Sequence, residues 1–225
     1  LDIREKMNDN IGLAGSYNGI GVLYRRMKEY EKAIEYYNKS LDFSAIENDD
    51  VNVAQSYNNI GVVMVLQEKY KESLSFFTEA FQIHSALKSQ GGIAKNYSNV
   101  SYVYGKLGNY SKAIDNAQKS YDIYAEMNNK GELSEITNRL SKLNEEIGNY
   151  KKALSLYKKH ISYRDSVYND KTTREITQKE MQFAFDKKLM TDSLTRVEAQ
   201  KIKELEHQQQ LKNKQTFIYG GGFIL

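Results

Sequence analysis

The apolar positions of this chain recur in step. In residues 16–42, Tyr17, Ile20, Gly21 and Tyr24 stand at i, i+3, i+4 and i+7, which is one face of a helix. After a polar turn at Lys28 and Glu29, Ala33, Ile34, Tyr37, Ser40 and Leu41 form a second such face. The pattern returns from Ser56, Asn96 and Ile136, and the turn tyrosines Tyr30, Tyr70, Tyr110 and Tyr150 hold a spacing of 40 residues. A strict period of this size predicts stacked helical hairpins, each burying its apolar face only against its neighbours. Helices are predicted at 14–27 and 30–46, 51–66 and 70–87, 91–107 and 110–127, 131–147 and 150–168. Polar stretches at 47–50, 89–92 and 128–131 separate the hairpins, with Gly91 and Gly131 as helix ends.

The small residues have a mechanical role. Gly21 and Ala33 allow two antiparallel helices to approach closely, and Tyr17, Tyr24 and Tyr37 fill the space around that contact. The set Tyr17, Ile20, Gly21, Tyr24, Ala33, Tyr37, Ser40 returns as Tyr57, Ile60, Gly61, Met64, Ser73, Phe77, Ala80. It resembles the tetratricopeptide repeat, whose pattern runs aromatic, Leu, Gly, Tyr, then Ala, aromatic, Ala. The resemblance implies an all-α fold, a right-handed superhelical solenoid of four hairpins over 14–170, followed by a long C-terminal helix. The family's repeat is about 34 residues, and this one is longer. Its usual terminal proline is replaced by Ala45, Ser85, Ala125 and Asp165, so each second helix is expected to run about one turn further. Lengthened repeats of this kind resemble those of kinesin light chains and of peptide-sensing bacterial regulators. Copy four departs most, with Thr137, Ser141, Asn144 and His160 at the aromatic, Gly, Tyr and small positions. A terminal repeat facing something other than another copy is expected to differ in this way.

Composition narrows the chemistry. The 225 residues contain no Pro, Trp or Cys, which favours nearly continuous helix and excludes disulfides and thiol catalysis. The net charge of +3 comes entirely from the tail, because residues 1–170 hold 22 basic and 22 acidic side chains. With no dense basic face, nucleic-acid binding is not expected. His84, His160 and His207 fall in different repeats or in the tail. No metal site, catalytic site or cofactor is therefore expected, and any catalytic output domain would lie outside this chain.

The ends read differently from the middle. Residues 1–13 begin without Met or signal peptide, and Ile3 is in register with Phe43 and Ile83, as expected for the end of a truncated preceding repeat. Residues 171–215 are rich in Lys, Glu, Gln and Thr and predict one long charged helix. Ile176, Phe183, Met190, Val197 and Leu211 are separated by multiples of seven, a weak coiled-coil seam through which a weak homodimer over 176–211 is expected. The alternative is a solvated helix whose first apolar turns cap the solenoid. Residues 216–225, TFIYGGGFIL, are uncharged and apolar. A span needs about 20 such residues, so they are expected to be the start of a truncated transmembrane span, or else a disordered apolar tail.

The functional surface of such a solenoid is the concave groove lined by the first helix of each repeat. The stripe opposite the packing residues holds Asn18, Val22 and Arg25, then Asn58, Val62 and Val65, then Ser98 and Tyr102, then Asn138 and Lys142, with Lys95 at the margin. A side-chain amide both donates to and accepts from an extended backbone, so the recurring Asn18, Asn58 and Asn138 point to a peptide or protein segment as partner. The plainer reading is that Asn is merely tolerated on an exposed face. The arrangement of repeats, charged helix and apolar segment resembles the sensor half of membrane-anchored signalling proteins of Bacteroidetes-type bacteria, with repeats outside the cytoplasmic membrane. In those, a histidine kinase, nucleotide cyclase, phosphatase or DNA-binding output follows the span. The alternative is a soluble cytoplasmic scaffold or peptide-responsive regulator.

Overall fold

The computed structural model of the protein describes residue 4 and residues 6–220. Eight helices follow one another: α1 (Asn10–Arg26), α2 (Tyr30–Ile46), α3 (Asp50–Leu66), α4 (Tyr70–Ala86), α5 (Gln90–Lys106), α6 (Tyr110–Glu126), α7 (Lys130–Glu146) and α8 (Tyr150–Gly220). The chain divides into a repeat unit, Leu1–Val167, and a second unit, Tyr168–Leu225.

The period is finer than the sequence pattern. Each of α1 to α7 has 17 residues, and three residues join each to the next. The middle linker residue is left-handed every time: Asn8, Lys28, Asn48, Glu68, Lys88, Gly108, Asn128 and Gly148 all have φ between +50° and +76°. At the first hairpin the Lys28 N–H donates to the Arg25 carbonyl (3.1 Å) and the Glu29 N–H to the Tyr24 carbonyl (3.0 Å). This pair of bonds is the Schellman closure of a helix. It recurs at 68–69, 88–89, 108–109, 128–129 and 148–149. The turn within a hairpin and the turn between hairpins are thus one motif repeated every 20 residues.

Four expectations change accordingly. The extra length is shared equally by first and second helices, where one turn had been expected on the second helix alone. Helix α1 starts at Asn10 rather than 14, because the Asp9 side chain accepts from the Gly12 N–H (2.9 Å) and caps it. Gly91 and Gly131 lie in the first turns of α5 and α7, and the left-handed ends are taken by Lys88 and Asn128. Helix α8 runs without a break past 171.

Along α8, Met190, Val197 and Leu211 are exposed, as are Leu194, Ile202 and Leu205. The side chains of Ile176 and Phe183 lie outside the described residues, as do those of 216–220 and all of 221–225. The expected start of a membrane span falls there. Among the described residues no helix is long and apolar enough to cross a membrane.

The core lies between successive hairpins. Ala33 and Tyr37 of α2 cluster with Ile60 and Val63 of α3, and Ala113 and Ala117 of α6 cluster with Ile136, Leu140 and Leu143 of α7. Within a hairpin, close approach depends on size matching. A Cβ on Gly21 would sit 2.5 Å from the Tyr37 ring, and one on Gly61 would sit 2.7 Å from the Phe77 ring. In the third hairpin the same two positions hold Ser101 and Ala117, so the small residue grows as the aromatic shrinks. The departures of the fourth hairpin are satisfied within it. Ser141 donates to the Ala153 carbonyl (2.8 Å), Asn144 to the Leu140 carbonyl (2.7 Å), and His160 Nδ1 lies 2.9 Å from the Ser134 carbonyl oxygen. His160 replaces a small residue, and Ser134 opposite it stands where Ala14, Ala54 and Ala94 precede it.

This matching is testable. Tyr37→Ala should cost about 3–5 kcal/mol, and Gly21→Ser should destabilise through the ring clash. The double variant recreates the Ser101 and Ala117 pair, so urea melts should show it more stable than the sum of the single losses by at least about 1 kcal/mol. Strict additivity would mean the two positions do not compensate.

Candidate functional site

First helices touch one another along the repeat unit (α1 with α3, α3 with α5, α5 with α7), whereas among the described residues no contact joins α2 to α4 or α4 to α6. First helices therefore pave the inner face. That face holds a groove of about 690 Å³, lined from α1 by Asn18, Val22 and Arg25 and from α3 by Val51, Gln55, Asn58 and Asn59. The last turn of α4 adds His84 and Leu87 beyond it, and the start of α5 adds Gly91, Gly92 and Lys95. A second hollow of about 210 Å³ lies between α5 and α7 around Tyr102, Lys106, Arg139 and Lys142.

The recurring asparagines are not free hooks. Asn18 and Asn58 are buried. Asn18 Nδ2 donates to Ser56 Oγ (3.0 Å), which in turn donates to Ser40 Oγ (3.0 Å). Asn18 Oδ1 accepts from Asn59 Nδ2 (2.8 Å), and Asn58 Oδ1 accepts from Asn99 Nδ2 (2.8 Å). One step further, Arg139 donates to the Ser98 carbonyl and to Ser98 Oγ (2.9 Å). Each donor stands 41 residues after its acceptor, so the column beside the expected stripe ties every first helix to the one before. Asn18 and Asn58 were expected on an exposed face; they are the buried rungs of this ladder, because an amide between two stacked helices finds its partners there.

The other expected residues divide. Val22, Arg25 and Lys95 reach the large groove, and Tyr102 and Lys142 reach the smaller hollow. Val62, Val65 and Asn138 are half-buried and line neither, and Ser98 serves the ladder. Tyr102 is flanked by Lys106 Nζ at 5.5 Å and the Arg139 guanidinium at 5.4 Å from its ring centre. Burial draws the Arg139 guanidinium below its ordinary value, offset by Tyr102 and nearby glutamates.

The groove also has residues that periodicity did not single out. His84 Nδ1 is buried without a hydrogen-bond partner. A Cβ on Gly92 would lie 2.3 Å from that nitrogen, so Gly92 is what admits the ring. Burial, and then the charge of Lys95, lower the His84 pKa, which favours the neutral ring. Gln55 and Asn59 sit on the wall with Val51. The available signal was the column 41 residues on, visible as Asn59, Asn99 and Arg139.

Charge is sorted by helix. In the first three hairpins the first helices carry Arg25, Arg26, Lys95 and Lys106 against Asp50 alone. The second helices carry five lysines against eight Asp and Glu. Several of those lysines are paired in place: Lys32 with Glu29 (2.5 Å), Lys39 with Glu35 (2.7 Å) and Lys119 with Asp115 (2.8 Å). The residues lining the large groove include Arg25, His84 and Lys95 and no Asp or Glu. A repeat unit that is neutral in total thus has a cationic groove over its first three hairpins, whereas α7 carries three basic against four acidic side chains. Among the described residues no group of three or more His, Cys, Asp or Glu could hold a metal ion.

Residues 12–86 and 92–166 match the tetratricopeptide repeat family model. The chain belongs to that family. No curated protein sequence matches it. Among solved structures it is similar to a Rap protein complexed with competence and sporulation factor (TM-score 0.69, 20% identity, 74% of this chain and 47% of that one). Aspartyl phosphate phosphatase F from Bacillus subtilis is another neighbour (0.67, 16%, 70% and 42%). BtubC from P. vanneervenii is a third (0.63, 21%, 69% and 65%). The chain spans less than two thirds of each of these proteins, and at such identities the likeness is one of fold.

The ladder makes a stability prediction. Asn58→Ala removes the acceptor of Asn99 and should cost about 1–2 kcal/mol in a urea melt. Asn138→Ala, at the same column position in the fourth repeat but only half-buried, should stay within about 0.5 kcal/mol. Equal losses would mean the rungs bear no part of the stacking.

Proposed function

We propose that this chain is a recognition module without catalytic activity of its own, and that its inner groove takes an extended peptide or protein segment carrying carboxylates. The observation that carries this reading is the cationic groove over α1, α3 and α5. Its size lies within the range of about 300–1,000 Å³ typical of ligand sites. Val22, Val51 and Leu87 supply apolar contact, Gln55 supplies an amide, Arg25 and Lys95 set the sign of the charge, and His84 adds a neutral ring. A structural neighbour is complexed with competence and sporulation factor, which supports a ligand-binding use of this fold. The asparagine rungs fix the groove's shape, and recognition falls to the side chains around them.

The test is anisotropy titration with labelled hexapeptide libraries carrying Glu, or Gln, at alternate positions. The Glu library should bind about tenfold more tightly than the Gln library, and added salt should weaken it. Gln55→Trp, which fills the groove from an exposed position, should abolish binding, while Gln82→Trp on the exposed side of α4 should not. Binding that survives Gln55→Trp would place the site elsewhere.

We further propose that the module is the sensor region of a membrane-anchored signalling protein, in which the helix after the repeats leads toward the membrane. The uncharged TFIYGGGFIL at 216–225 supports this, as do Lys212 and Lys214 before it and the aromatic Phe217 and Tyr219 at its start. Expressed with its natural flanking sequence, the protein should sediment with membranes, and its repeats should be cleaved by protease added to spheroplasts. A soluble, protected product would favour the cytoplasmic regulator instead.

A further inference from the structure

Where one hairpin meets the next, a residue from the following second helix closes the junction. Phe76 of α4 packs against the Tyr37, Ile60 and Val63 cluster between α2 and α3. Leu156 of α8 packs against the Ala117, Ile136 and Leu140 cluster between α6 and α7. At the middle junction, between α4 and α5, the same column holds Asn116 of α6. Asn116 does not close it, because its Nδ2 turns back to the Lys112 carbonyl of its own helix (2.8 Å). The first-helix residue beside it is also the smallest of its column. Ile60 and Leu140 are buried, whereas Val100 is only half-buried.

The two reductions in size leave a hollow of about 220 Å³ between α4, α5 and α6. Phe77 and Phe81 of α4 and Tyr97 of α5 wall it, and the Phe81 and Tyr97 rings lie 5.2 Å apart at 57° to each other. None of its lining residues belongs to the inner groove. Asn96 lines it too, and is only 3% exposed. The Asn96 Nδ2 donates to the Phe77 carbonyl (2.6 Å), which fixes the amide. Its Oδ1 accepts no hydrogen bond from any described residue. A buried amide oxygen usually has a partner, so the hollow combines aromatic walls with one acceptor held in place.

We propose that this hollow binds a small aromatic molecule carrying one hydroxyl or N–H group, of the phenol or indole class. The ring takes the volume that Phe76 and Leu156 take at the other two junctions, and its donor bonds to Asn96 Oδ1. An apolar cavity of about 150 Å³ is enough for benzene, so this one has room for a substituted ring. Tilted aromatic walls favour an aromatic guest over an aliphatic one, because ring edges and faces attract. The site lies apart from the inner groove, and its occupancy does not depend on what that groove takes.

Amide NMR titrations of the isotope-labelled 225-residue protein with p-cresol and with toluene test this. p-Cresol should shift the amides near residues 77–81, 96–100 and 116 saturably. It should bind about fivefold more tightly than toluene, the gain expected of one hydrogen bond. Asn116→Phe rebuilds the arrangement of Phe76, so it should raise the melting temperature and abolish p-cresol binding. Thr78→Trp, from an exposed position on the lining, should block the hollow without touching the junction's interior. Asn96→Ser places there the residue found at Ser56, and should erase the difference between p-cresol and toluene. The proposal is overturned by a wild-type protein without saturable shifts, or by equal affinities for the two probes. Binding that survives both Asn116→Phe and Thr78→Trp overturns it as well.

Discussion

The left-handed residue at every twentieth position is the constraint on which the rest depends. It ends one helix and aims the next, and the two backbone bonds beside it satisfy carbonyls that the helix end would leave open. Because the turn is the same within and between hairpins, α1 to α7 all have one length. Side chains 40 residues apart then meet equivalent neighbours. Lys28, Glu68 and Lys88 adopt a conformation that favours glycine, so the closure is imposed by the stack as well as by local preference.

Given that frame, each junction solves the same packing problem with different residues. Gly21 with Tyr37 and Gly61 with Phe77 place a ring against bare backbone, and Ser101 with Ala117 divides the same space more evenly. Tyr37 carries a buried hydroxyl without a partner, and the next repeat has Phe there, which shows that the ring and not the hydroxyl is what the contact uses. In the fourth hairpin Tyr157 keeps the ring position, while Thr137 and Ser141 replace the first-helix aromatic and the glycine and donate to the backbone of their own hairpin. The inner face follows a second rule. Its amides are spent on holding neighbouring first helices together, which leaves cations, small apolar groups and Gln55 as the exposed chemistry of the groove.

Much of the fold was legible because it depends on periodicity. The positions of Tyr17, Gly21, Ala33 and Tyr37 fixed the hairpins to within a few residues, and the absence of proline matched uninterrupted helix. Legibility failed where the determinant is not a repeated residue type. Lys28, Glu68 and Gly108 share a backbone angle and no side-chain property, so the 20-residue half-period was hidden behind a 40-residue one. The groove was legible in part. Val22, Arg25 and Lys95, expected from helix geometry, do line the large groove, but that geometry cannot tell an exposed Asn from one bridging two helices. The partner column at Asn59, Asn99 and Arg139 changes residue type as it goes, and His84 belongs to a second helix, outside any reading confined to first helices.

The equal helices also limit how such a chain can change. One inserted residue turns everything after it by about 100° around the helix axis. In a 17-residue helix that would swing Gly21 away from its ring and every ladder donor away from its acceptor. A duplication of 40 residues leaves all columns in place and adds one more copy of each contact. Length in this architecture is therefore inherited in whole hairpins, and the variation that distinguishes one repeat from the next is confined to substitutions paired across a contact.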